Sequence, residues 1–160
     1  MTKRVCQRAT SPRLPCVVLH GILAMLKDGR DVAALLAALP AEMLSPELVA
    51  LRDLSAVVDL ADHWPVVHVT TIPIEHTRLG IAALPAFAGI YVDPGIAAVA
   101  WLDATLPPRM PLTLAVDPSV LGTQSAFAYA WGDRVTTVIV HGHDIQPDAI
   151  PDLLGRCVNV

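Results

Sequence analysis

The pattern of apolar and polar positions divides the chain into a helical first part and a strand-rich second part. Residues 14–25 form a nearly continuous apolar run. Such a run carries no period of its own and suits a buried helix or a buried strand equally. Periodicity begins at Asp31, placed to cap a helix bearing Val32, Leu35, Leu36 and Leu39 as one stripe, which Pro40 ends. Ser45, Pro46 and Glu47 then supply a cap, a rigid first position and a first-turn acid. The helix they start carries Leu48, Leu51, Leu54 and Val58 on one face and Arg52, Asp53, Asp59 and Asp62 on the other.

From Trp64 the pattern changes. Residues 66–74 are β-branched and Thr-containing, which predicts a strand whose end at Pro73 lies at a sheet edge or bulge. Residues 88–92 and 96–102 are two further strand candidates around an Asp93-Pro94-Gly95 turn, and residues 112–116 are another, ended by Asp117-Pro118. Residues 125–131 and 134–141 flank Gly132-Asp133, which suits a two-residue hairpin turn with glycine first. In that register Phe127, Tyr129 and Trp131 share one face with Thr136 and Val138, and Ala126, Ala128 and Ala130 the other with Val135, Thr137 and Ile139. Residues 147–154 suit a last helix stopped by Gly155. The order predicts an α+β fold, with N-terminal helices packed on a mainly antiparallel β-sheet and a short C-terminal helix. It comprises a single domain over 14–160, preceded by a basic arm over 1–13.

Composition raises the question of where the apolar surface goes. Apolar residues make up 54% of the chain and charged ones 16%, more apolar and less charged than an ordinary soluble domain. The aromatic share is 4%, so the excess is aliphatic. A 160-residue monomer leaves part of such an excess outside, which predicts a homo-oligomer or a protein complex. The longest apolar stretch, 81–102, has the length of a membrane span, but Pro85 and the Asp93-Pro94-Gly95 turn break it. The basic start and apolar run at 14–26 imitate a signal peptide. Lys27-Asp28-Gly29-Arg30 follows without a small-residue cleavage site. These features predict a cytoplasmic protein, or part of a complex assembled inside the cell, with no membrane span. Cys6, Cys16 and Cys157 are an odd set without CxxC spacing, which fits free thiols in a reducing compartment.

Charge is unevenly placed. Lys3, Arg4, Arg8 and Arg13 give the first thirteen residues a charge of +4, and the remainder carries seven bases against fifteen acids. Four cations are a modest footprint for nucleic acid, and the acidic remainder repels phosphates, so a nucleic-acid partner is disfavoured. Docking of the arm on the acidic body of a neighbouring subunit fits the same layout, as does a frayed terminus.

Histidines are the concentrated reactive groups. His141 and His143 are one residue apart at a strand end, so both side chains share a face, and Asp144 adds an oxygen ligand. His68 and His76 share parity on the earlier predicted strand. If that strand lies beside the hairpin, these residues form a site for one divalent transition metal; otherwise no cofactor is implied. Residues 17–21 (Val-Val-Leu-His-Gly) and 138–142 (Val-Ile-Val-His-Gly) resemble strand-to-loop pieces of α/β-hydrolases. That likeness covers five residues each, and neither a G-x-S-x-G elbow nor the length of that fold is present, so it is set aside. The leading expectation is a non-catalytic assembly or adaptor protein acting through apolar surface. The alternatives are a small metal-dependent enzyme using His141 and His143, and a carrier or sensor of a small apolar ligand.

Overall fold

The computed structural model describes residues 16–93, 102, 105–107, 110–117, 132–141, 155 and 157. The first run, left open between helix and strand, is the helix α1 (Cys16–Met25). Helix α2 spans Gly29–Ala38. Its cap is Asp28 rather than Asp31: the Asp28 carboxylate accepts from the Arg30 backbone N–H at 2.8 Å, and Asp31 lies in the first turn. Helix α3 (Pro46–Ser55) begins at the Ser45-Pro46 signal, although the Ser45 side chain makes no capping hydrogen bond. The stripes behave as their spacing demands. Val32, Leu36, Leu48, Leu51 and Leu54 are fully buried, while Leu35, Leu39 and Val58 pack at the margin of the same core.

The sheet corrects the expectation of a mainly antiparallel arrangement. Four strands, β1 (Val66–His68), β2 (Gly89–Val92), β3 (Leu112–Val116) and β4 (Val135–Val140), lie in the order β1-β2-β3-β4. Every neighbouring pair is parallel. Parallel neighbours need a crossover of a dozen or more residues, not a tight turn. The chain supplies one between β1 and β2 with helix α4 (Thr77–Ala83). Between β2 and β3, the residues Leu102 and Thr105 are helical, so the strand expected over 96–102 does not reach its end. The strand expected over 66–74 stops at His68 and continues as short 3-10 turns at Val69–Thr71 and Ile74–His76. Gly132 to Arg134 do form a turn. The strand that follows pairs in parallel with β3; the proposed hairpin partner, 125–131, and the C-terminal helix, 147–154, lie outside the described residues.

The two faces of the sheet differ. Val67, Ile90, Val92, Leu112, Leu114, Val116 and Val135 belong to one apolar core with the helices. The alternating positions His68, Tyr91, Thr113 and Ala115 do not join it, because successive side chains on a strand point to opposite faces.

A short segment fastens the helices to the sheet. Its 3-10 turn, Leu60–Asp62, is capped by the Asp59 carboxylate accepting from the Ala61 N–H at 3.0 Å. Gly29, at the start of α2, lies so close to the Leu60 carbonyl that a Cβ there would overlap it. Trp64 donates its indole N–H to the Leu26 carbonyl at 2.8 Å and lies against Phe87, with ring centroids 5.9 Å apart. The Trp64–Pro65 peptide is cis.

Two glycine substitutions should therefore move stability in opposite directions. Gly29→Ala is expected to cost roughly 3 kcal/mol, because the added carbon must displace backbone. Gly21→Ala, in mid-helix with none of the described residues within 4 Å of the new carbon, is expected to gain about 0.5–1 kcal/mol. Urea denaturation of the two variants beside the parent measures both.

Candidate functional site

The strand ends place a polar group of side chains where open parallel sheets carry their ligands, beyond the carboxyl ends of the strands. His68 closes β1, and Tyr91 is its register partner on β2, so both project from the same face. Their rings stack with centroids 4.4 Å apart and planes 23° from parallel. His141 directly follows β4, and its Nε2 lies 3.2 Å from the Tyr91 hydroxyl. His63, before β1, meets the His68 ring edge to face at 6.1 Å. Four rings thus form a continuous row, His63, His68, Tyr91 and His141.

Hydroxyls and one carboxylate flank the row. Thr70 donates to Asp93 Oδ2 at 2.6 Å, which fixes the acid just beyond β2. Burial pushes the Tyr91 phenol above its ordinary value, and the negative charge of Asp93 adds to the effect. The phenol keeps its proton at neutral pH, as an ordinary tyrosine does, and its hydroxyl lies within hydrogen-bond distance of His141 Nε2. The pair offers a hydrogen-bond donor, an exposed imidazole and a stacked aromatic surface.

The histidines named from the sequence are partly brought together. His68 and His141 reach the same tyrosine, but from strands at opposite ends of the sheet order, with β2 and β3 between them. His76 sits in a 3-10 turn, off the strand assumed to carry it in phase with His68. His143 and Asp144 lie outside the described residues, as do Lys3, Arg4, Arg8 and Arg13. No group of three His, Cys, Asp or Glu side chains converges among the described residues. Tyr91, His63 and Asp93 were not singled out from the sequence. The usable signal was Tyr91-x-Asp93 at the end of an apolar strand, one crossover after His68.

A second feature is the outward side of α1. Leu19 and Leu23 are buried, whereas Val17 is 82% and Met25 81% exposed, with Val18 and Ile22 also open. The helix contains no Lys, Arg, Asp or Glu. On its other side His20 approaches Glu47 of α3, with Nε2 3.5 Å from Oε1. Burial works to raise the Glu47 carboxyl, but the Ser45 hydroxyl, its own backbone N–H and His20 outweigh it and hold the carboxyl below its ordinary value. Among the described residues no helix is long and apolar enough to cross a membrane. Comparison with protein-family models, curated proteins and solved structures finds no match.

The Tyr91 environment has a direct optical test. Ultraviolet titration of the phenols, with Tyr91→Phe subtracted to isolate this residue, should give a midpoint above the ordinary tyrosine value. Asp93→Asn should bring it down without abolishing the shift, because burial is the larger cause.

Proposed function

We propose that the protein is an assembly or adaptor subunit that associates with copies of itself through the outward face of α1. One observation carries this reading. Seven large apolar side chains are exposed among the described residues, and Val17, Val18, Ile22 and Met25 of that set share this one ten-residue helix. Single exposed apolar residues are ordinary, but a contiguous apolar patch marks an interaction surface.

A second copy is the occupant that fits. The face has no charge with which to select an oppositely charged partner, and an apolar helix face can meet its own copy across a two-fold axis. Gly21 leaves a notch between Val17 and Met25, since none of the described residues lies within 4 Å of its missing side chain. A ten-residue helix is about 15 Å long. Helix-to-helix contact alone therefore buries less than the roughly 1,600 Å² of an ordinary stable interface. The association should be concentration-dependent, in the micromolar range. The +4 arm and the acidic remainder offer an additional, salt-sensitive contact between subunits.

Sedimentation or light scattering across a concentration series tests the reading. The expected result is a monomer–oligomer equilibrium that Val17→Asp with Met25→Lys shifts to monomer. Both sites are exposed and the new charges suit the helix ends they occupy, so folding stability should change by no more than about 0.5 kcal/mol. A parent chain that stays monomeric at about 100 μM, well above the range expected for so small a contact, defeats the proposal. Removing residues 1–13 separates the contribution of the arm from that of the helix face.

A further inference from the structure

We propose that His63 is an acid-operated latch: neutral, it holds segment 59–65 between the helices and the sheet, and protonated, it releases that segment. This goes beyond the self-association reading and does not depend on it.

Burial and the contacts around His63 favour its neutral form. The residue is only 5% exposed. Its Nε2 lies 3.5 Å from Thr71 Oγ1, and that hydroxyl spends its one proton on the His68 carbonyl at 2.9 Å. Thr71 Oγ1 is therefore placed to accept from His63, which favours the tautomer with its proton on Nε2. Among the described residues, Nδ1 is left as a buried lone pair with no hydrogen-bond partner. Protonation would put a second N–H there with nothing to accept it, which is the costly state for a buried polar group.

The surrounding charges do not repair this. His68 on β1, its ring 6.1 Å away, opposes a second positive charge, while Asp62 and Asp59 on the preceding turn favour it. Burial is the largest influence; with His68 it outweighs the two acids and holds His63 below the ordinary histidine value. The unfolded or released chain then takes up the proton first as the pH falls. The latch is fully closed above the ordinary histidine value and loses strength as pH falls toward the lower folded value.

Position turns this cost into a structural response. The segment holding His63 also carries Leu60, packed against Gly29, Trp64, hydrogen-bonded to Leu26, and Asp59, 4.0 Å from Arg30. Each of these contacts reaches the α1–α2 junction. Releasing the segment removes these attachments of the junction, leaving its apolar core contacts and the β2–β3 pairing.

Amide hydrogen exchange at pH 7.5 and 5.0, expressed as protection factors, reads the latch in the full chain. That window lies above the ordinary value of Glu47, so its carboxylate stays charged throughout. Protection of residues 16–38 and 59–65 is expected to fall together at the lower pH, by up to about 30-fold for one histidine kept neutral in the closed state. Strands β2 and β3 should lose less. His63→Phe, which keeps a ring without a titrating nitrogen, should remove most of the difference. Equal protection at both pH values, or an equal fall in His63→Phe, overturns the proposal. If that variant does not fold, the His63 ring signal in the parent chain decides. Titration below the other histidines and in step with the loss of protection supports the latch. Titration at the ordinary value with protection retained overturns it.

Discussion

The joining of the two layers depends on one close approach, that of the α2 N-terminus to the Leu60 carbonyl. Only a residue without a Cβ fits there, and Gly29 occupies the position. That approach sets the height of α2 over the turn at Leu60–Asp62, and the same turn leads through His63 and Trp64 into β1. The Trp64 indole then ties back to Leu26, at the other side of the α1–α2 junction. The segment is thus fixed by steric fit at one end and by a directed hydrogen bond at the other. Apolar burial supplies the driving force for the core, but it is non-directional, and these two contacts give the helical layer its register on the sheet.

The helices were legible because their signals are local. A stripe such as Val32, Leu35, Leu36 and Leu39 needs only one face of one helix to be buried, and Pro40 and Pro46 punctuate it. The sheet was not legible for a related reason. β2 and β3 are short and mostly apolar, so they carry little alternation. Helix α4 runs into the apolar stretch that precedes β2, and the boundary between crossover and strand leaves no polar mark. Asp93-Pro94-Gly95 invited a tight turn, and a tight turn implies antiparallel neighbours. Strand direction is set by how the chain crosses over, which is a property of packing and not of any five-residue window.

The candidate site was half visible for the same reason. His68 and His141 could be picked out as strand-end histidines, but the residue that connects them could not. Tyr91 lies on the strand between the two crossovers, and its role follows from the parallel register with His68. Once direction is known, residues at the carboxyl ends of β1, β2 and β4 fall on one edge by construction. An antiparallel sheet would have sent alternate ends to opposite sides and separated them.

An aliphatic, charge-poor sequence therefore reaches two distinct outcomes in one molecule. On the core side of the sheet, valines, isoleucines and leucines meet α2, α3 and α4 and disappear from solvent. On α1 the same residue types go all round the helix, and a helix can bury only the side that faces its own core. The polar side chain of α1, His20, turns toward Glu47, so the exposed side holds Val17, Val18, Ile22 and Met25. Gly21 sharpens this point. It costs helix stability and, among the described residues, answers no close approach, unlike Gly29. A small residue on an apolar face lets another surface approach closely, and self-association through α1 is the proposal that this feature supports.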